Sequence, residues 1–224
     1  MGVADTTPKI KFCGITSIED AERAAQAGAW AVGLNLWPGS PRHCELDAAG
    51  EIAAALKRRV EVAGVFVNPA LDELAELADA LDLTMVQLHG DEGPAFCAEV
   101  ARRTGCKVIK AVRVRDRADL QAANVFHADY HLLDSHVPGQ RGGTGQTFAW
   151  ELAREHLGPA PVILSGGLSA DNVGAAIAVA RPFAVDVASG VERSPGRKDP
   201  AKLDAFAGAV ARAGSAIREH EPVG

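Results

Sequence analysis

Three side chains stand where proton transfer or anion binding could be done. Cys13 lies in Lys11-Phe12-Cys13-Gly14-Ile15-Thr16, Asp134 in Leu132-Leu133-Asp134-Ser135, and Arg42 in Pro38-Gly39-Ser40-Pro41-Arg42. A thiolate accepts a proton, a carboxylic acid donates one, and a guanidinium held by a proline-stiffened loop matches the fork of a carboxylate. Each has a plainer reading. Free cysteine is commonly a small buried apolar group, and Cys44, Cys97 and Cys106 are read that way. Asp134 would serve equally as a loop brace or helix cap, and Arg42 as a solvated surface charge. For Cys13 the end of a strand and an expected helix start just beyond it favour chemistry, since a helix N-terminus supports a thiolate.

Three glycine-bearing stretches follow later strands: Gly142-Gly143-Thr144-Gly145, Ser165-Gly166-Gly167-Leu168 and Ala188-Ser189-Gly190-Val191. Glycine exposes backbone N–H groups and lets an anion approach closely, so three such loops in succession are read as a phosphate clamp, with Gly142, Gly143, Gly145, Gly166, Gly167, Ser189 and Gly190 as its members. His89 and Asp91 form a His-x-Asp pair. A coordination sphere needs partners from neighbouring strands, and none with that spacing follows, so the pair is given a local hydrogen-bonding role and no metal site is expected.

These residues need elements to carry them. Short apolar runs recur at Lys9–Cys13, Ala31–Leu36, Val60–Val67, Met85–Leu88, Lys107–Val112, Tyr130–Asp134, Pro161–Ser165 and Ala184–Ala188. Each leads into an Ala/Leu/Glu/Arg-rich segment of helical periodicity. Thr16 with Glu19 has capping-box spacing, Asn68-Pro69 and Asp199-Pro200 put a cap before a first-turn proline, and Gly28, Gly105 and Gly158 stand where helices should stop. Eight β-then-α units with right-handed crossovers close into a (β/α)₈ barrel, which places reactive groups at the C-terminal strand ends. A doubly wound open sheet is the alternative fold. Its dinucleotide form is disfavoured, because Cys13-Gly14-Ile15-Thr16 replaces a G-x-G-x-x-G after the first strand.

The 224 residues are 47% apolar, 23% charged and 5% aromatic, with a net charge of −6. That composition excludes a disordered tail and offers no basic footprint for nucleic acid. One domain is expected over 1–224, with its core at about 9–217 and polar ends at 1–8 and 218–224. Four cysteines without C-x-x-C or zinc spacing, and the lack of a signal-like or membrane-length apolar stretch, point to a reduced, cytoplasmic setting and a small-molecule partner. Monomer and homodimer are both compatible with the sequence.

Taken in order, Lys11-Phe12-Cys13-Gly14-Ile15-Thr16, Ser40-Pro41-Arg42, Gly64-Val65-Phe66-Val67-Asn68, Gln87-Leu88-His89-Gly90, Leu132-Leu133-Asp134-Ser135, Gly142-Gly143-Thr144-Gly145, Gly166-Gly167-Leu168 and Asp186-Val187-Ala188-Ser189-Gly190-Val191-Glu192 resemble the phosphoribosylanthranilate isomerases of tryptophan biosynthesis. The resemblance runs from Lys9 to Lys198-Asp199. It implies an Amadori rearrangement without metal or organic cofactor, with Cys13 as general base, Asp134 as general acid, Arg42 on the anthranilate carboxylate and the glycine loops on the phosphate. Asp134 would then need a raised pKa and Cys13 a lowered one. The sequence departs from the family wording at Phe12, Gln146, Ser165 and Ala149. Gln146 removes a cation expected near the phosphate, and Ala149 a brace of the helix after the sixth strand. Three other readings are weighed: a metal-dependent pentose-phosphate epimerase, which needs histidines and carboxylates from several strands, a sister isomerase of histidine biosynthesis, for which an aspartate would be expected in place of Cys13, and a catalytically silent barrel that only binds a phosphorylated ligand.

Overall fold

A computed structural model describes residues 7–134, 150–156 and 158–220. Eight parallel strands pair in chain order and close on themselves: β1 (Lys9–Cys13), β2 (Ala31–Asn35), β3 (Glu61–Phe66), β4 (Met85–Leu88), β5 (Lys107–Arg113), β6 (Tyr130–Asp134), β7 (Val162–Ser165) and β8 (Ala184–Val187). The helices are α1 (Ile18–Gln26), α2 (Leu46–Leu56), α3 (Leu71–Ala80), α4 (Pro94–Thr104), α5 (Arg117–Ala123), α6 (150–154), α7 (Val173–Ala180) and α8 (Pro200–His220). Between β8 and α8 come a 3₁₀ turn (Ser189–Val191) and a small hairpin, β9 (Glu192–Ser194) and β10 (Arg197–Lys198). The open-sheet alternative is excluded by closure of β8 onto β1, where Lys9 pairs with Ala184 and Lys11 with Asp186.

Strand alternation sends every second side chain inward. The inner core is Ala63, Met85, Ile109, Ala111, Leu132, Ile163 and Ala184. Its floor is an aromatic cluster of Trp30, Tyr130 and Phe183, with ring centroids 5.4 Å apart and the Lys9 ammonium over two of the rings. Two residues further up β4, β6, β7 and β8, the inward positions are polar: Gln87, Asp134, Ser165 and Asp186. The outer core lies between strands and helices, and α2 shows how it is made: Ala49, Ile52, Ala53 and Leu56, spaced three and four apart, are buried.

Strand ends differ from the sequence expectation by a residue or so. Pro161 accepts a bond from His131 N but has no N–H to donate, so β7 begins at Val162. Gly28 and Gly105 take the left-handed backbone expected where helices stop. Asp199 caps α8, its Oδ1 accepting from Ala201 N and Lys202 N. Two other caps are corrected. The α1 cap is Ser17, whose Oγ accepts from Asp20 N, while Thr16 Oγ1 donates to Gly196 O at 2.5 Å. Asn68 does not cap α3, which begins at Leu71; its φ is 48° and its Oδ1 accepts from Asp91 N, tying the loop after β3 to that after β4.

Candidate active site

The C-terminal strand ends bring Cys13, Arg42, Asp134 and the β7 and β8 loops to one face of the barrel. Cys13 is the last residue of β1 and faces inward above Lys11, which is fully buried. Lys11 Nζ donates to Asp186 Oδ1 at 2.6 Å, and Ser165 Oγ donates to Asp186 Oδ2 at 3.0 Å. Gly33 faces this group. A side chain there would put its first carbon 2.8 Å from Cys13 Sγ and 3.1 Å from Lys11 Nζ, so glycine is what leaves room for both.

The electrostatics of Cys13 correct one expectation. Burial pushes the thiol up rather than down; Lys11 and Lys198 pull it back, and Asp186 adds to the rise. The nearby helix does not supply the positive charge, because α1 begins only at Ile18, and the N–H groups of Gly14 and Ile15 both donate to Gly33 O at 2.9 and 3.0 Å. Burial also works against the Lys11 charge, but Asp186 and Cys13 outweigh it and hold its pKa above the ordinary value.

Arg42 lies across Gly14, whose φ of 72° and contact with the arginine stem both require glycine. The guanidinium grips Glu192 through Nε and Nη2, at 2.9 and 2.8 Å. Glu192 also accepts from the buried Lys198 Nζ at 2.9 Å, and Lys198 donates to Cys13 O at 2.6 Å. Burial opposes ionisation of Glu192, yet its bonds to Arg42 and Lys198 hold the carboxyl below its ordinary range. The arginine is thus anchored on one edge while still partly open to solvent.

Asp134 ends β6. Its Oδ2 is 3.8 Å from His89 Nε2, and both border a cleft of about 450 Å³ together with Val67, Arg113 and Phe126. His89 Nδ1 is 2.9 Å from Gln87 Nε2, the local hydrogen bond expected of it. Burial lowers the His89 pKa against the pull of Asp134 and Asp186, so the ring facing Asp134 favours its neutral form. The loop edge here is fixed by Lys110, which donates to Glu92 Oε2 and Gly90 O at 2.7 Å, while Glu92 Oε1 accepts from Asn68 N.

Gly166 and Gly167 have φ of 98° and 64°, two successive residues in a region that side chains disfavour. Asn172 braces their loop by donating to Gly167 O at 2.9 Å. Gly190, in the turn after β8, packs against the Leu168 carbonyl so closely that any side chain would overlap it. Gly166, Gly167, Ser189 and Gly190 therefore belong to two loops in contact. Gly142, Gly143 and Gly145 lie outside the described residues, as do Gln146 and Ala149. Among the described residues, no cluster of three or more His, Cys, Asp or Glu is placed to hold a metal ion, and no helix is long and apolar enough to cross a membrane.

Lys11, Asp186, Ser165, Lys198, Glu192 and the approach of His89 to Asp134 were not read from the sequence as parts of the site. The sequence signal for the first two is strand parity. If Cys13 faces inward, so does Lys11, and its register partner on β8 is Asp186.

Residues 10–209 match the family model for N-(5′-phosphoribosyl)anthranilate isomerase. The N-(5′-phosphoribosyl)anthranilate isomerase of Citrifermentans bemidjiense is 47% identical over 195 residues, covering 87% of this chain and 93% of that protein. The crystal structure of phosphoribosyl anthranilate isomerase from Thermotoga maritima superposes with a TM-score of 0.82 at 39% identity, over 92% of this chain and 99% of that one. The enzyme of that organism is described as dimeric. A phosphoribosyl anthranilate isomerase in complex with reduced 1-(o-carboxyphenylamino)-1-deoxyribulose 5-phosphate gives a TM-score of 0.79 at 36% identity, over 92% and 99% of the two chains. With a strand-end cysteine and aspartate and a loop arginine in one barrel mouth and a match across most of its length, the chain belongs to the N-(5′-phosphoribosyl)anthranilate isomerase family.

Proposed function

We propose that this barrel converts N-(5′-phosphoribosyl)anthranilate into 1-(2-carboxyphenylamino)-1-deoxyribulose 5-phosphate with Asp134 as the acid and Cys13 as the base. Isomerase activity in tryptophan biosynthesis follows from family membership; the division of labour is the one the family resemblance implies. The observation that carries it is the presence of a thiol and a carboxyl, on β1 and β6, both at the last inward position of their strands. Asp134 donates a proton to the furanose ring oxygen, the C1–O bond breaks, and the anilino nitrogen's electron pair forms a protonated imine. Cys13 then takes the proton from C2, giving an enolamine that relaxes to the aminoketone. Ring opening needs a proton donor and the next step a proton acceptor, the parts given to Asp134 and Cys13.

Two anionic ends of the substrate hold the reacting carbons between them. Arg42, with one edge committed to Glu192, turns its remaining N–H groups to the anthranilate carboxylate. Gly166, Gly167, Ser189 and Gly190, joined by Gly142, Gly143 and Gly145, take the phosphate through backbone N–H groups. Binding at both ends orients the sugar for proton transfer. The chain works in the cytoplasm on this small phosphorylated substrate, with no metal or organic cofactor in the reaction. Binding of the reduced product analogue to Arg42→Ala tests the clamp. Loss of a charged, two-pronged contact should weaken binding on the order of tenfold to a hundredfold, whereas unchanged binding refutes the role given to Arg42.

A further inference from the structure

We infer that Lys11 is a positioning residue that holds Cys13 as a thiolate aimed into the barrel mouth, an inference that rests on Cys13 being the base. Lys11 lies two residues before Cys13 on the same inward row and is completely buried. Its ammonium is fixed by Asp186, which is itself fixed by Ser165 from β7, so the charge cannot swing away. Thiol and ammonium share the pocket that glycine leaves at position 33, at 2.8 and 3.1 Å from the missing Cβ.

A charge pair in this place has a cost that packing alone does not explain. The inner core just below is filled by Met85, Ile109, Leu132 and Ile163, and apolar residues there give stability without desolvating two ions. The ionic pair occurs at the level where the thiol enters. Other charged groups face Cys13: Asp186 from β8, Lys198 from β10 and Arg42 from the loop after β2. Lys198 spends its hydrogen bonds on the Cys13 and Ala188 carbonyls and on Glu192, and Arg42 is held by Glu192. Lys11 is the cation that packs with the thiol over Gly33, one row below it on the same strand.

In the proton-abstraction step the C2 proton moves to Sγ, the C2–H electron pair becomes the C1–C2 double bond, and the electrons of the C1–N double bond return to nitrogen. Lys11 neither gives nor takes a proton. It sets how much thiolate is present and where Sγ points.

The test is the rate of Cys13 alkylation by iodoacetamide as a function of pH, followed by peptide mass spectrometry in wild type, Lys11→Met, Lys11→Met/Asp186→Asn and Asp186→Asn. Loss of a neighbouring cation raises a thiol pKa by about one unit or more, so below the midpoint Cys13 should react roughly tenfold more slowly in Lys11→Met than in wild type, and in the double variant than in Asp186→Asn. The double variant removes the buried carboxylate that Lys11→Met leaves unpaired, and so separates charge from folding. Asp186→Asn alone keeps the ammonium and should lower the midpoint. A folded double variant with the midpoint of Asp186→Asn, or no fall in Asp186→Asn, overturns the inference. Alkylation needs no turnover, so full activity of Cys13→Ala would refute the base assignment separately.

Discussion

Cys13 has to act as a base from a place whose burial favours the protonated thiol. The barrel answers with nearby cations rather than with exposure, and that makes the site sensitive to small displacements. Gly33→Ala would push its methyl into Cys13 Sγ and Lys11 Nζ. A shift of about 1 Å in a reacting group costs on the order of a hundredfold in rate, so kcat should fall by about that much while KM changes little, in steady-state kinetics on a variant with a wild-type circular dichroism spectrum. Glu192→Gln tests the other anchor. It removes the charge that grips Arg42 and Lys198, so KM should rise on the order of tenfold, with a smaller fall in kcat. Cys13 and Asp134 were legible in the sequence because each stands at a strand end, and Arg42 because two prolines stiffen the loop that presents it. Lys11 and Asp186 were not, because a lone charge inside an apolar run gives no sign of its partner until strand register is known.

At the level of elements, the loops after β7 and β8 form one surface only because Gly190 fits against the Leu168 carbonyl. Gly190→Ala should force them apart and weaken phosphate binding, raising KM about tenfold or more; inhibition by inorganic phosphate should weaken in parallel. The imidazoles of His131 in β6 and His156 after α6 meet at 2.9 Å, with His131 Nε2 on Phe126 O at 3.0 Å. Burial lowers both pKa values, and each native ring thus prefers to be neutral. The unfolded chain binds protons at these rings first, near pH 6.5, so their contribution is present above that pH and is lost as pH falls toward the lower folded values. Urea midpoints should drop between pH 7 and 5, and His156→Gln should shrink the drop; equal drops would remove the pair from the acid response. Among the elements, the Asp199 cap was readable from its side chain and the proline after it. Thr16 and Asn68 misled because a loop contact, to Gly196 O and Asp91 N, took the side chain that local spacing assigned to a helix.

Across the whole molecule, polarity runs along the barrel axis, from an aromatic floor through an apolar middle to the charged rim that holds Cys13 and Asp134. Eight apolar runs with helical segments between them were enough to read the closed barrel, since each parallel crossover leaves the next strand beside the last. The strand ends could be placed only to within a residue or two, because hydrophobicity does not mark where a backbone stops pairing. The central claim is the pairing of an acid on β6 with a base on β1. Its most direct test is the decay of phosphoribosylanthranilate fluorescence, with fresh substrate and correction for spontaneous breakdown, for wild type beside Cys13→Ala and Asp134→Asn. Fast decay with wild type and a loss on the order of 10²-fold to 10⁴-fold in each variant is predicted. Near wild-type decay with either folded variant would contradict the account.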